Sequence, residues 1–238
     1  MFRVDYRGKL PEKLVVYLLG DLHVGSSGLT RRKVKIAVDM IKRQKNARCV
    51  MMGDLIEAIM ADDYRYNPLQ NNGKYQTIDE QCKEVAGILR PIRKKCLAML
   101  DGNHEETVHK TIKTDVLIGE ALGLDKKIYG GRTVKIIINN KVKLFCTHGS
   151  GKVNSEAGDP EQIERNEAIK VKRKLRRLQS DCIVMAMGHI HKLRVTGPFP
   201  RLSIIGNDRM EQVYPEPEMR KDGTINEDER WYCSTGSF

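Results

Sequence analysis

The stretch DCIVMAMGHIHK, residues 181–192, decides how the rest of the chain is read. An apolar run of strand character stops at Gly188, and two histidines follow with one residue between them. Residues two apart on an extended chain point to the same side, so His189 and His191 would offer two imidazoles to one place. Four other apolar runs stop in the same manner. KLVVYLLGDLHVG (13–25) ends at Asp21 and His23, and ARCVMMGDLIE (47–57) at Asp54. CLAMLDGNHEE (96–106) ends at Asn103 and His104, and KVKLFCTHGSG (141–151) at His148. Each run is short and fits a buried strand bounded by glycine.

Helical patterns lie between these runs. Residues 30–46 space apolar side chains at 34, 36, 38, 40 and 41. Thr77 and Glu80 have the spacing of a capping box, opening a helix that Pro91 should end or kink. Asp159, Pro160 and Gln162 start another helix, expected to run to about residue 179. TVKIIINNKVKLFC reads as a hairpin, with Asn139 and Asn140 able to take the left-handed turn. Past residue 192 the pattern becomes short strands and proline-bearing loops, closing on the strand-like WYCSTGSF. Strands alternating with helices predict an α/β chain, read as one domain over 1–238. In such folds ligands gather beyond the carboxyl ends of the strands, where all five polar clusters fall.

Composition bounds the reading. At 238 residues, with 40% hydrophobic and 31% charged content, the chain can bury a large core. No apolar run approaches the roughly 20 residues of a membrane span, and MFRVDYRGKLPEK lacks the apolar centre of a secretory signal; the expectation is a cytoplasmic protein with no membrane partner. The six cysteines stand singly, without a CxxC pair, as plain thiols of a reducing compartment. A net charge of +11 favours phosphorylated or polyanionic partners, though charge alone names no ligand.

Five of the six histidines belong to the post-strand clusters; only His109 stands outside. Asp21, Asp54 and Asn103 hold equivalent positions. Imidazole, carboxylate and carboxamide oxygen are ligands of borderline divalent metals, and eight such groups exceed what one tetrahedral ion takes. Two ions sharing a carboxylate suit them.

The ordered set D-x-H, G-D, G-N-H-E, T-H-G and G-H-x-H, from Asp21 to His191, resembles the calcineurin-like metallophosphoesterase superfamily. The resemblance implies a four-layered α/β/β/α sandwich of two mixed sheets around a dinuclear centre. By motif position Asp21, His23 and His191 would hold the first metal, and Asn103, His148 and His189 the second, with Asp54 bridging. Manganese is the first expectation for the two divalent ions, with iron and zinc as alternatives. The implied enzyme is a metal-dependent phosphoric ester hydrolase in which a metal-bridging hydroxide attacks phosphorus in line. His104 would be the general acid for the leaving oxygen, and Glu57 the carboxylate that orients His104. Glu105 completes G-N-H-E in a supporting role.

One departure narrows the substrate. Phosphoprotein phosphatases of this superfamily follow G-D with Asp and Arg, whereas GDLIEAIM has Glu57 and then Ala58, so the phosphate-gripping arginine is missing. The basic balance favours a phosphodiesterase, a DNA nuclease among the readings, over a phosphomonoesterase or nucleotide hydrolase; a non-catalytic scaffold is the remote alternative. Two segments bear on nucleic acid as a partner. KVKRKLRR (170–177) places six cations on a helix, as a phosphate track or as a solvated face. The insertion 60–76 carries Tyr64, Tyr66, Tyr75 and Arg65, and is expected to line the substrate cleft with Arg65 as a phosphate contact.

Overall fold

A computed structural model describes residues 1–8, 13–59, 63, 66–67, 75, 77–108, 112–199, 201–205, 209–213 and 218–238. Each of the five apolar runs forms a strand: β2 (Val15–Leu19), β3 (Ala47–Met51), β4 (Cys96–Met99), β6 (Val142–Thr147) and β7 (Val184–Met187), with β1 (Phe2–Tyr6) and β5 (Thr133–Ile138) beside them. The order β2-β3-β4 makes a three-stranded parallel sheet. The larger sheet is mixed, in the order β1-β5-β6-β7-β11-β8, where β8 is Arg194–Thr196 and β11 is Trp231–Ser234. A separate antiparallel pair joins β9 (Arg201–Ile205) to β10 (Arg209–Val213). The expectation of two mixed sheets thus holds for the larger sheet only; the smaller is parallel throughout its described strands because each connection crosses over through a helix.

Those helices follow local signals. Helix α1 (Arg31–Arg43) buries Val34, Val38 and Ile41, a stripe at helical spacing, and leaves Ile36 and Met40 exposed. Helix α2 (Ile78–Leu89) opens on the Thr77–Glu80 capping box, with both reciprocal bonds made, and passes at Arg90–Lys95 into a 3₁₀ turn containing Pro91. Helices α3 (Asn103–Val108) and α4 (Thr114–Leu122) had no clear sequence signal; α4 stops at Gly123, φ 67°. Helix α5 (Pro160–Leu175) is capped by Asp159, which accepts from the Gln162 N–H at 2.7 Å, and ends short of residue 179. The β5–β6 hairpin turns on Asn139 and Asn140, φ 48° and 57°.

Burial explains why the strand runs are apolar without a break. On β3, Cys49 and Met51 pack with α1, α2 and α4, whereas Val50 joins Leu97, Val134, Ile136 and Cys146 between the sheets. On β7, Ala186 faces that inner core while Met185 and Met187 meet α5 through Val171 and Leu175. Strands covered on both faces need apolar residues at both parities. The six cysteines are free, and four are buried; burial pushes the Cys82 and Cys182 thiols up to about 12. Among the described residues, no helix is long and apolar enough to cross a membrane.

Candidate metal centre

The parallel strands β2, β3 and β4 bring their carboxyl ends to one edge, and the loops leaving them stay paired. Backbone amides of Asp21, His23 and Val24 donate to the carbonyls of Gly53, Asp54 and Leu55 at 2.9–3.0 Å. Glycine permits this crowding. A Cβ on Gly102 would collide with Asp54 Oδ1, and Gly53 sits at φ 90° against the Gly102 backbone. Asp21, His23, Asp54, His189 and His191 all take the left-handed conformation, at φ 48–71°. Such residues cost about 1–3 kcal/mol each and concentrate at functional sites.

Three groups of ligand atoms result among the described residues, each within 4.8 Å: Asp21, His23, Asp54 and His191; Asp54, His148 and His189; and His23, Glu57 and His104. Asp54 is common to the first two. Asn103 adds its Oδ1, 3.0 Å from His148 Nε2. The seven residues expected as ligands from the sequence therefore meet at one place.

Hydrogen bonds set which nitrogen of each ring faces inward. His148 Nδ1 donates to the Met52 carbonyl at 2.9 Å, since a carbonyl can only accept. In neutral His148 this leaves Nε2 with a lone pair, 3.2 Å from Asp54 Oδ2 and close to Asn103 Oδ1. His23 Nδ1 meets the Glu57 carboxylate at 2.9 Å, so its Nε2 faces His191 Nε2 at 3.1 Å and Asp54 Oδ2 at 3.9 Å. His191 Nε2 lies 3.4 Å from Asp21 Oδ1. Acceptors converging on acceptors call for positive charge among them. The donor set fits divalent cations: imidazole nitrogens oriented from behind, carboxylates, and a carboxamide oxygen. His189 Nδ1, buried without a hydrogen-bond partner, adds an orphaned ring nitrogen to the same cluster.

The proton equilibria respond to the same field. Burial opposes the charged form of His23, but the Glu57 hydrogen bond and the Asp54 and Asp21 carboxylates outweigh it, and its pKa is raised. His148 is raised against its burial by Asp54. Burial acts to raise Asp54, yet bonds and charge from His148 and His104 hold it well below the usual carboxylate range. His189 is lowered by burial and by its neighbour His148.

His104 stands beside the cluster. Its amide donates to Asp54 Oδ1 at 3.0 Å, and its Nδ1 donates to the Glu57 backbone carbonyl at 2.5 Å. The expected partnership is thereby revised: the backbone of Glu57, not its carboxylate, orients His104, and the carboxylate serves His23. Glu105 is more than a supporting residue. Buried, it accepts from the amides of Asp54 (3.0 Å), Leu55 (2.6 Å), Ile56 (3.2 Å) and Gly102 (2.8 Å). Burial and the Asp54 charge push its pKa up, to about 7, against the Ile56 and Gly102 amides. Thr235, which donates to Asp21 Oδ2 at 3.2 Å, had no signal in the sequence, because the contact joins residues 214 apart.

Other expectations fall elsewhere. Arg65, Tyr64 and His109 lie outside the described residues. Tyr75 is buried in the α1–α2 core and bonded by Arg31, so it is not a stacking platform. Of the six cations on the basic segment, four are engaged within the fold. Lys170 and Lys174 bond the Asn154 and Ser150 carbonyls, and Lys172 and Arg176 pair with Asp228 and Glu227. Compared with models of protein families and with curated proteins, the chain matches none.

Proposed function

We propose that this protein is a metal-dependent phosphoesterase of the calcineurin-like kind. The observation that carries the reading is the convergence of acceptor atoms into two groups that share Asp54. The packing of helices outside two apposed sheets supports it. Asp21, His23 and His191 would hold one divalent cation, Asn103, His148 and His189 a second, and Asp54 both. Manganese is the first candidate, ahead of iron and zinc. Such ions supply Lewis acidity toward a phosphoryl group and a nucleophile at neutral pH.

The chain's own residues divide the remaining work. Glu57 and the Met52 carbonyl hold His23 and His148 in the tautomer whose Nε2 points inward. His104 lines the adjacent cleft, and with Nδ1 committed to a carbonyl its Nε2 is the nitrogen left to exchange a proton, which only the imidazolium form can give to the leaving oxygen. Glu105 keeps the Asp54 loop against α3. Where phosphoprotein phosphatases carry an arginine, Ala58 is buried and its amide is held by Gln81, which speaks against that substrate class.

The net charge of +11 supports a phosphodiesterase, with nuclease action its extended form. A nucleotide-sized ester is favoured as the second reading by two facts: four of the six basic-segment cations are engaged internally, and the cleft beside His104 measures about 320 Å³ among the described residues. The test is metal-stripped protein, with manganese restored, on bis-p-nitrophenyl phosphate, p-nitrophenyl phosphate and single- and double-stranded DNA, alongside Asp54→Asn. Metal-dependent diester cleavage lost in Asp54→Asn is the expected result. Monoester cleavage alone would select the second reading. Full activity of Asp54→Asn, or silence on all four substrates, would remove the assignment.

A further inference from the structure

The cleft beside the candidate centre has two unlike walls. One carries Asp21, His23, Glu57, His104 and His191; the other is built from Ser26, Gly28, Leu29, Ser237 and Phe238. Leu29 and Phe238 both pack on the core formed with α1 and α2, so the second wall is anchored rather than free-standing. Ser26 caps its own turn, accepting from the Gly28 amide at 3.2 Å. Gly28 has an ordinary backbone conformation, and a Cβ added there meets only Ser26 Oγ, at 3.6 Å. The glycine is thus a place where side-chain bulk is absent though the backbone would accept it.

From this we infer that the wall of Leu29 and Phe238 is a subsite for a single ring-bearing ester arm, on the order of one nucleoside or aryl alcohol, whose oxygen sits next to His104. The inference rests on the phosphoesterase reading and specifies its substrate class. Three features support it. Among the described residues the cleft measures about 320 Å³, at the small end of ligand clefts and enough for one ring system. An aromatic and a branched aliphatic side chain offer a planar group dispersion contact and burial, while the Ser237 hydroxyl can bond a polar edge. The same cleft contains His104, so an arm held there places its ester oxygen beside the proton donor.

The test separates the subsite from the metals. Manganese-loaded protein is titrated calorimetrically with methylphosphonate and with phenylphosphonate, whose P–C bonds the proposed hydrolysis cannot cleave. Phenylphosphonate is expected to bind on the order of tenfold more tightly. Gly28→Phe, which fills the cleft, should reduce phenylphosphonate affinity to that of methylphosphonate, and Phe238→Ala should narrow the gap, with manganese content by elemental analysis unchanged in both. Equal affinities in the wild type, or a gap that survives Gly28→Phe, would overturn the subsite while leaving the metal reading intact. Failure of the wild type to bind either phosphonate would overturn both.

Discussion

Glu105→Gln tests the packing logic of the centre without touching a proposed ligand. Glu105 is buried, and its two oxygens accept four backbone amides: Oε1 those of Leu55 and Ile56, Oε2 those of Asp54 and Gly102. Glutamine is nearly isosteric but replaces one oxygen by an NH₂ group. Whichever oxygen is replaced, two buried N–H donors then face another donor. An unsatisfied buried polar group costs about 1–3 kcal/mol; the neutral amide is spared the burial of charge that raises the Glu105 pKa to about 7, which offsets part of the loss, so the variant should lose about 1–3 kcal/mol. That is a large share of the roughly 5–15 kcal/mol by which a domain is stable. The assay is urea unfolding of the metal-free protein, with the slope checked for constancy so that a shifted midpoint reports stability. Glu106→Gln is the internal control. Its carboxylate is partly exposed and pairs with Arg132 at 3.2 Å, so it should cost no more than about 1 kcal/mol. Equal stability of Glu105→Gln and wild type would refute the claim that this carboxylate clamps the Asp54 loop to α3.

The remaining predictions address the site and the fold separately. Glu57→Gln should weaken manganese binding by roughly 10–100-fold, through the lost carboxylate behind His23; unchanged affinity in a metal titration would remove Glu57 from that role. His104→Ala should keep its metal and slow turnover of esters with poor leaving groups by roughly 10²–10⁴-fold, and wild-type rates would strip His104 of proton donation. Asp181 joins Lys135 and Lys143 at 2.6 and 2.9 Å, and these bonds hold its pKa below the ordinary value against partial burial. A depressed carboxylate stabilises the fold above its unfolded pKa of about 3.9, and the contribution fades as pH falls through the folded value. Asp181→Asn should therefore cost about 1–2 kcal/mol at pH 7 and progressively less below about pH 4; a difference that does not shrink in acid would contradict the ion-pair account.

Much of the site was legible because two simple patterns coincide. Strands buried on both faces must be apolar along their length, and the chain turns polar where such a strand ends. Asp21, His23, Asp54, Asn103, His148, His189 and His191 could all be picked out this way. The helix ends at Thr77 and Asp159 were legible for a similarly local reason, since a cap bonds an amide three residues on. The basic segment stayed open between two readings, because a cation looks the same in sequence whether water or Asp228 surrounds it.

The sequence by itself determined the five apolar strands and the helices α1, α2 and α5, the turn at Asn139 and Asn140, and the list of candidate ligands. Each depends on neighbours within a few residues, and local sterics and amphipathic spacing are written at that scale. Only the tertiary structure decided the partners. It placed β11 between β7 and β8, set Thr235 on Asp21, gave the Glu57 carboxylate to His23 and its carbonyl to His104, and made Glu105 the clamp of the Asp54 loop. Those contacts join segments from 34 to 214 residues apart. Their geometry follows from how the two sheets pack, a property of the whole core that no short stretch of chain carries.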